Sequence, residues 1–406
     1  MKIIHCPRRF TQHSWGGTET AILSLAKQQK SSGHEVIIFT SKALDDCPHE
    51  IIEGIEVRRF DYCYPWLGLS ELAKQQMDNA GGNLFSAAML RALLLEPNVS
   101  LIHAHAAKRL GGIVRTAAKL RAIPYVVSVH GGLYDIPTEV EQARVEERGG
   151  SVEWGKAVGA IIGSRRVFND ASAVICFSQS ELKQIKQDNP DTRVEYIPNG
   201  VDSRRFMGAA NQAFRQSHGI QSDAKVILNV GRIDPQKNQL LLVNSMPKIL
   251  REQSNAHLML IGHVTDSAYH NALIRRINEL ELQKSVTLIP GIAHDSGDIE
   301  NAYLSADVFC LPSIHEPFGI VVLEAWAAGI PVVTAKVGGA AEFTQDGIDS
   351  LHSDWDAGMW ANKVLAALQP ETRNALVNVA RSRARNEFDK TLINQRIDNL
   401  YQELAA

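Results

Sequence analysis

The chain has 406 residues, which is too long for one hydrophobic core and predicts two or three domains. Its 42 Lys and Arg residues against 45 Asp and Glu residues give a net charge of −3, which argues against the strongly basic class of nucleic-acid-binding proteins. Hydrophobic residues make up 45% of the chain and charged residues 21%, a composition typical of a globular enzyme.

The beginning of the chain, residues 1–7, lacks the apolar stretch of a signal peptide and predicts a first strand. The longest apolar run, residues 319–335, contains Glu324 and Pro331 and does not qualify as a membrane span. Five cysteines without CxxC spacing favour buried, reduced packing residues over disulfides. We therefore expect a cytoplasmic protein and leave open a peripheral association with the inner membrane surface.

Short β-rich runs alternate with longer amphipathic segments, a pattern typical of βα units and parallel sheets. In the first half we predict strands at 2–6, 35–40, 55–60, 101–104, 125–129, 173–177 and 194–197. A helix at about 18–31 follows the first strand and ends at Gly33. In the second half we predict strands at 226–230, 257–261, 286–288, 307–311 and 332–334.

The polar stretch 203–223 has no β pattern and separates the two βα series. We therefore predict an α/β fold with two Rossmann-like domains, at 1–205 and 206–389, whose parallel sheets face an interdomain cleft. Gly, Asn, Asp and Pro cluster at the strand exits, where open α/β sheets bind ligands. The pattern alone does not place the final helix, at about 390–404.

The most informative motif places two carboxylates, Glu316 and Glu324, on either side of Gly319. A helix that begins near Gly319 would present free backbone N–H groups and a positive dipole end. Two carboxylates that bind hydroxyl groups, beside an anion-binding helix start, suit a ligand with sugar hydroxyls and phosphate. A buried Glu bonded to neighbouring backbone is the alternative.

Arg232 and Lys237 follow directly on the strand predicted at 226–230, so both leave the sheet at its carboxyl edge. A guanidinium forks onto phosphate oxygens and an ammonium adds a point charge. The pair therefore predicts a diphosphate site, and two solvated loop cations are the alternative.

Weaker signals lie in the first half. Gly16 and Gly17 open the first helix and allow a ligand to approach the backbone closely. Glu19 would repel a phosphate at this point, so contact with a neutral sugar or simple turn chemistry fits better. His130 ends a strand and points at the predicted cleft, although an isolated histidine in this position is more often structural than catalytic.

Several patterns are absent from the sequence. His103 and His105 alternate faces on a strand, so we expect that they do not readily chelate one metal, and we predict no metal site. There is no G-x-G-x-x-G after a strand, no P-loop and no G-x-S-x-G elbow. Nicotinamide enzymes, P-loop NTPases and serine hydrolases thereby lose support.

Taken together, these motifs resemble the retaining glycosyltransferases of the GT-B fold, family 4 (group 1), whose E-x7-E motif matches the Glu316 and Glu324 pair. The likeness runs nearly end to end. Its other motifs are Gly16-Gly17-Thr18-Glu19, Gly33-His34-Glu35-Val36, His130-Gly131, Asn199-Gly200-Val201-Asp202, Gly231-Arg232 with Lys237, Ser313, and Val337-Gly338-Gly339 with Glu342.

The resemblance implies that the second domain holds a nucleotide-diphosphate sugar, with no cofactor and no divalent metal. Glu324 would bind the ribose hydroxyls and Glu316 the donor sugar. Arg232 and Lys237 would neutralise the diphosphate and the charge that grows on the leaving group. Further contacts would come from the backbone N–H groups around Phe318, Gly319, Ile320 and Val321.

For the first domain, the resemblance implies that His130 lies near the donor sugar and acts in catalysis. Gly16 and Gly17 would pass close to the donor phosphate or the acceptor, and the final helix, at about 390–406, would pack back onto this domain. One departure concerns Asn238, which follows Lys237 where the family commonly has Gly. The Gly338-Gly339 run also lacks the frequent Pro before Glu342.

The predicted function is retaining transfer of a hexose-type sugar to a glycan, lipid-linked or small-molecule acceptor, in polysaccharide or glycoconjugate biosynthesis. A nucleotide-sugar epimerase or phosphorylase of the same fold, or a non-catalytic nucleotide-sugar binding module, are the alternatives. The segments 131–171 and 62–90 either shape the acceptor side or are ordinary packing. The oligomeric state is not readable from the sequence.

Overall fold

The computed structural model describes residues 1–12, 15–130, 152–208, 212–292 and 296–405. The chain divides into two compact units, Met1–Pro198 with Ile393–Ala406, and Asn199–Leu392. Each unit has its own parallel sheet and its own hydrophobic core. Of the segment 131–171, which we expected either to shape the acceptor side or to be ordinary packing, residues 131–151 lie outside the described residues.

The strands of the first unit are β1 (Lys2–Cys6), β2 (Glu35–Ser41), β3 (His49–Ile52), β4 (Ile55–Phe60), β5 (Trp66–Leu67), β6 (Leu101–Ala104), β7 (Tyr125–Val129), β8 (Val152–Glu153), β9 (Ala173–Cys176) and β10 (Val194–Tyr196). Its main sheet has the order β10-β9-β7-β6-β1-β2-β4-β3, and β5 pairs separately with β8. Every pairing in the main sheet is parallel except that of β3 with β4. The central strands β6 and β7 are buried along their whole length, as helix-covered parallel strands require.

Helices connect these strands: α1 (Gly17–Ser31), α2 (Glu71–Ala80), α3 (Ala87–Leu95), α4 (Lys108–Arg121), α5 (Gly155–Ile161) and α6 (Gln179–Asp188). Serine hydroxyls cap three of them by accepting a backbone N–H of the first turn: Ser70 caps α2, Ser86 caps α3 and Ser178 caps α6. Helix α1 is followed by Gly33 in the left-handed region at φ +85°, as its stop signal predicted.

The second unit has a wholly parallel sheet in the order β13-β12-β11-β14-β15-β16. Its strands are β11 (Lys225–Val230), β12 (Ala256–Ile261), β13 (Val286–Ile289), β14 (Val308–Leu311), β15 (Val332–Ala335) and β16 (Leu351–Ser353). The helices that follow the first unit's are α7 (Gln212–Ser217), α8 (Gln239–Glu252), α9 (Ser267–Glu279), α10 (Asp298–Leu304), α11 (Ile320–Ala328), α12 (Gly338–Phe343), α13 (Ala357–Leu368), α14 (Pro370–Asn386) and α15 (Lys390–Ala405).

The strands predicted from the sequence are all present, each with its ends within one residue of the prediction. The sequence did not reveal β3, β5, β8 and β16. Strand β3 is an edge strand with half its residues exposed, and β5 and β8 have two residues each, which is too short to show a period. The predicted GT-B class of fold, two parallel α/β units, is confirmed.

The second unit begins earlier than the predicted boundary at residue 206. The backbone N–H of Val201 donates to the Phe388 carbonyl at 2.8 Å, and Lys390 N–H donates to the Val201 carbonyl at 3.0 Å. Phe206 then packs edge-on against Tyr303, with ring centroids 5.3 Å apart. These partners are distant in sequence, so the local pattern of residues 199–206 could not reveal them.

The terminal helix α15 packs on the first unit. Tyr401 is fully buried and hydrogen-bonds the His103 ring. Arg193 and Glu403 form a bidentate pair at 2.7 and 2.9 Å, and Arg396 donates to the Tyr196 carbonyl at 2.7 Å. Among the described residues, no helix combines the length and the apolar character that crossing a membrane requires.

Candidate active site

Glu316 lies in the loop that joins β14 to α11, at the carboxyl edge of the second unit's sheet. The residue is 6% exposed, and its Oε2 accepts hydrogen bonds from Lys237 Nζ at 2.6 Å and from Ser313 Oγ at 3.0 Å. Lys237 follows β11, which is the neighbour of β14 in the sheet. The structure therefore brings together one cation and one carboxylate that the sequence placed 79 residues apart.

Two glycines hold this loop from the other side. Gly339 N–H donates to the Glu316 carbonyl at 2.9 Å. A Cβ atom on Gly338 would lie 2.0 Å from the Glu316 carbonyl oxygen, and one on Gly339 would lie 2.2 Å from that of Pro317. Side chains at these two positions would overlap with the backbone of the loop, so the Gly-Gly pair at the start of α12 is required for the close approach.

Helix α11 begins immediately after this loop. Gly319 precedes it in the left-handed region at φ +92°, and no side chain caps the helix start. The first-turn N–H groups of Ile320 and Val321 are therefore available at the positive end of the helix dipole. Phe318 is buried and stacks on Phe343 at 5.0 Å between ring centroids. The backbone geometry predicted for Phe318, Gly319, Ile320 and Val321 is present, and their role as ligand contacts stays a prediction.

Glu324 projects from the second turn of α11 and is partly buried. Tyr303 on α10 donates its hydroxyl to Glu324 Oε2 at 2.7 Å. Burial raises the pKa of Glu324, while the Tyr303 hydrogen bond and the nearby charge of Arg205 oppose that rise. Tyr303 was not predicted from the sequence, because an aromatic residue in an amphipathic helix is typical of ordinary core packing.

The two predicted phosphate-binding cations differ in their surroundings. The Lys237 side chain is 14% exposed and paired with Glu316, whereas that of Arg232 is 49% exposed and lies 3.2 Å from Asp234. Gln236 lies in the loop that carries Arg232 and Lys237. Its Nε2 donates to the His315 carbonyl at 2.9 Å and so links this loop to the one that carries Glu316. Lys237 is thus not a solvated loop cation, while Arg232 remains accessible.

Asn238, which replaces the Gly common in this family, has φ +54° and precedes helix α8. Asn adopts this left-handed conformation more readily than most residues. The departure noted in the sequence therefore keeps the backbone shape of the loop.

In the first unit, Gly16 forms the N-cap position of α1 and Gly17 its first residue. Glu19, in the first turn, is 5% exposed and lies 3.6 Å from Arg9. Burial raises the pKa of Glu19, and Arg9 opposes the rise. That a neutral sugar or simple turn chemistry, rather than a phosphate, accounts for Gly16 and Gly17 stays a prediction.

His130 follows β7 and lines a cavity of about 190 Å³ in the first unit, together with Arg8, Asn83, His105 and Lys108. His130 Nε2 lies 2.9 Å from His105 Nδ1. Burial lowers the pKa of His130 to about 3, so the ring is neutral at physiological pH. The glycines that follow it, Gly131 and Gly132, lie outside the described residues.

The expectation that His103 and His105 point to opposite faces is wrong. Successive side chains of a strand alternate, so residues two positions apart, such as His103 and His105, lie on the same face. The centroids of the two rings lie 3.9 Å apart. One ring nitrogen of each, together with one ring nitrogen of His5, lie within 4.8 Å of one another. Hydrogen bonds occupy the ring nitrogens of all three, to one another or to Gln29, Ser128, His130 and Tyr401.

Comparison with known proteins agrees with this geometry. The family model "Glycosyltransferase Family 4" matches residues 15–205, and the model "Glycosyl transferases group 1" matches residues 210–383. A D-inositol 3-phosphate glycosyltransferase of Salinispora arenicola is 30% identical over 404 residues, covering 93% of this chain and 85% of the relative. The chain belongs to the family 4, group 1 glycosyltransferases. A second D-inositol 3-phosphate glycosyltransferase, of Kineococcus radiotolerans, is 29% identical and covers 92% of this chain and 87% of the relative.

Solved structures show the same GT-B fold for this glycosyltransferase. The Anabaena protein HepE in complex with UDP and glucose matches with a TM-score of 0.73 at 20% identity, covering 99% of each chain. A sucrose-phosphate synthase from Thermosynechococcus elongatus matches with a TM-score of 0.75 at 21% identity, covering 100% of this chain and 99% of the synthase.

The loop contact of Gly338 generates a first prediction. Gly338→Ala and Gly347→Ala both place a Cβ at positive φ (+55° and +74°), which costs about 1–2 kcal/mol of stability. Gly347 has no atom within 4 Å of the new Cβ, whereas at Gly338 the Cβ would overlap the Glu316 carbonyl. We expect Gly338→Ala to lower the urea midpoint of the second unit clearly more than Gly347→Ala. Equal midpoints would show that the loop containing Glu316 moves away from the new Cβ at little cost in stability.

The raised pKa of Glu324 predicts a pH-dependent stability. A carboxyl whose pKa is higher in the folded state destabilises the fold as the pH rises from the ordinary pKa through the raised one, because the folded protein disfavours the charged form. We expect Glu324→Gln to raise the free energy of unfolding at neutral pH. The gain should vanish below pH 4.5, the ordinary pKa of Glu, where the wild-type group is neutral in both states. Urea titrations across this range measure it, and a gain that does not change with pH would contradict the assignment.

Proposed function

We propose that this glycosyltransferase transfers a hexose-type sugar from a nucleotide-diphosphate sugar to an acceptor hydroxyl with retention of anomeric configuration. The observation that carries the proposal is the Lys237–Glu316 pair of 2.6 Å beside the uncapped start of helix α11. A carboxylate suits sugar hydroxyls, and an ammonium with free backbone N–H groups suits phosphate. That HepE was crystallised with UDP-glucose adds support for a nucleotide-sugar donor.

The donor roles follow from burial and from existing contacts. Glu324 is proposed to bind the ribose hydroxyls, with Tyr303 holding its Oε2 and so fixing the orientation of the carboxylate. Glu316 is proposed to bind the donor sugar. Lys237 and the accessible Arg232 are proposed to neutralise the diphosphate and the charge that develops on the leaving group. Because these cations supply that charge, we propose that transfer proceeds in EDTA, without a divalent metal or cofactor.

In the first unit, His130 is proposed to act in catalysis as a neutral hydrogen-bonding partner of a substrate hydroxyl. Gly16 and Gly17, with no side chains to obstruct a ligand, are proposed to contact substrate through the backbone. The Glu316 and Glu324 pair is not proposed as the acid and nucleophile of a hydrolase, since the second carboxylate is committed to ribose in this proposal.

The acceptor is proposed to bind in the first unit's cavity and to be a small polyol phosphate. Arg8 and Lys108 line this cavity, and Arg8 Nη1 is buried with no hydrogen-bond partner among the described residues. An unpaired guanidinium nitrogen suits a phosphate oxygen. The curated relatives named as D-inositol 3-phosphate glycosyltransferases add support for a phosphorylated acceptor. Glycan and lipid-linked acceptors remain the competing classes, and a role in polysaccharide or glycoconjugate biosynthesis depends on them.

A transfer assay tests the proposal. The protein is incubated with a panel of nucleotide sugars, first alone and then with polyol phosphate, oligosaccharide and lipid-linked acceptors, and the anomeric configuration of the product is read by NMR. Retention of configuration in EDTA supports the proposal. An epimerised donor without acceptor would indicate an epimerase, and binding without turnover across the panel would indicate a binding module.

The two carboxylates should affect different steps. Glu324→Gln removes a charged hydrogen-bond acceptor, worth about 1.5–3 kcal/mol, and should weaken nucleotide diphosphate binding by roughly 10- to 100-fold. Glu316→Gln should leave nucleotide binding near wild type and lower kcat/KM for sugar transfer. Isothermal titration and initial rates measure these effects, with the exposed Glu279→Gln as the control. Wild-type binding and turnover in both variants would exclude these roles.

Arg8 and its neighbour Arg9 provide a matched test of the acceptor site. Arg8 lines the cavity and Arg9 does not. Loss of one charged hydrogen bond in Arg8→Gln should raise KM for a phosphorylated acceptor by roughly tenfold or more. The same variant should leave KM for the donor unchanged, and Arg9→Gln should change neither value. Similar effects of both variants would argue against a phosphate site at Arg8.

A further inference from the structure

We propose that a buried chain of hydrogen bonds from Gln29 through His5 and His105 fixes His130 in one tautomer, with the proton on Nε2 and the lone pair on Nδ1. In this proposal, His105 is a positioning residue for His130. The effect on catalysis rests on the proposed function of His130, whereas the tautomer is a property of the protein without substrate.

The fold itself assembles the chain. Strands β1, β6 and β7 are adjacent and parallel, so the residues at their carboxyl ends converge. His5 lies near the end of β1, His105 just after β6 and His130 just after β7. The His105 N–H donates to the Cys6 carbonyl at 3.0 Å, which fixes the backbone that carries this ring.

Three short hydrogen bonds connect the side chains in series. His130 Nε2 lies 2.9 Å from His105 Nδ1, His105 Nε2 lies 2.9 Å from His5 Nδ1, and His5 Nε2 lies 2.8 Å from Gln29 Oε1. His5 and Gln29 are fully buried, and His105 is 7% exposed. With so little exposure, water cannot readily replace any link.

All three imidazoles are neutral at physiological pH. Burial lowers the pKa of His5 to about 4 and that of His130 to about 3, and it holds the pKa of His105 well below the ordinary value. A neutral imidazole carries one N–H and one lone pair. Each contact between two rings therefore contains one proton, and the direction of one contact sets the direction of the next.

The Gln29 end sets that direction. The Gln29 amide oxygen lies on His5, and the amide nitrogen and Asp398 Oδ1 on helix α15 are both buried with no hydrogen-bond partner among the described residues. Burial raises the pKa of Asp398, and the nearby Gln29 side chain opposes the rise. Because a carboxylate only accepts, the amide nitrogen faces Asp398 and the amide oxygen faces His5. His5 must then donate to Gln29 through Nε2–H.

The remaining links follow. His5 has its only proton on Nε2, so its Nδ1 accepts from His105 Nε2–H. The Nδ1 of His105 then accepts from His130 Nε2–H. The lone pair of His130 is left on Nδ1, and the ring meets a substrate hydroxyl as a hydrogen-bond acceptor rather than as a donor.

His103 provides the matched control. It is equally buried and its ring contacts that of His105, yet its hydrogen bonds run to Ser128 Oγ at 2.7 Å and to Tyr401, and none of them runs to His5, His105 or His130. Replacing His103 disturbs the same core without removing a link to His130. A variant at His105 removes the link itself.

The tautomer is measured by NMR on the full chain with ¹⁵N-labelled histidine, after EDTA treatment, with His130→Gln to assign the signal. We expect a protonated Nε2 and an unprotonated Nδ1 for His130 in wild type and in His103→Phe. In His105→Phe we expect a mixture of His130 tautomers. We expect the same in Gln29→Leu, which removes the opposite end of the series of hydrogen bonds.

Three results would overturn the proposal: Nδ1–H as the main form of wild-type His130, an unchanged signal in His105→Phe, or a change on EDTA treatment that reveals a metal bound by the imidazoles. Kinetics give a separate readout. His105→Phe should lower kcat for transfer by roughly tenfold, the loss of about one hydrogen bond, with donor affinity unchanged and His103→Phe within twofold of wild type. If His105→Phe changes the tautomer but not kcat, the chain stands and the proposed role of His130 fails.

Discussion

In a parallel sheet every strand ends at the same edge, and both candidate sites of this glycosyltransferase depend on that constraint. In the second unit it places the loop after β11 beside the loop after β14, so Lys237 reaches Glu316. In the first unit it places the ends of β1, β6 and β7 side by side, so residues 100 positions apart hydrogen-bond through their rings. Each of these side chains alone is a weak indication of function, and the strand topology places them close enough together to form a site.

The buried carboxylate at Glu316 explains much of the second site. Removing a carboxylate from water costs several kcal/mol unless a charge and hydrogen bonds compensate it. Lys237 and Ser313 provide both, on the same oxygen atom. A donor sugar that binds here exchanges one set of hydrogen bonds for another within a site that is already assembled, so little reorganisation energy is required.

Glu324 shows a different compromise. Its pKa is raised because burial outweighs the single hydrogen bond from Tyr303 and the charge of Arg205. The fold therefore keeps a carboxylate where it reduces stability, which is expected where selection acts on binding rather than on stability. The adjacent core, with Trp326 and Leu323 fully buried on the same helix, supplies the stability that the carboxylate removes.

The sequence predicted its strands to within a residue and placed Lys237 at the carboxyl edge of the sheet, because the periodicity and the ends of βα units are encoded locally. The sequence did not predict the pairing of Lys237 with Glu316. It did not predict Tyr303, whose hydroxyl partner is 21 residues away. It also noted Asn238 as a departure without showing that this backbone is left-handed, where Asn serves in place of Gly. Contacts that depend on tertiary packing were consistently the ones missed.

The histidines show an error of another kind. Side chains two residues apart on a strand lie on the same face, so the period of two itself brings His103 and His105 together, contrary to the expectation. Once the rings converge, each buried nitrogen needs a partner, because an unsatisfied buried polar group costs about 1–3 kcal/mol. Tyr401 hydrogen-bonds the His103 ring, and Asp398 lies beside Gln29. Helix α15 follows the second unit in sequence, but from Ile393 onward it belongs to the first unit. Its Tyr401 and Asp398 cover the buried polar side chains at His103 and Gln29.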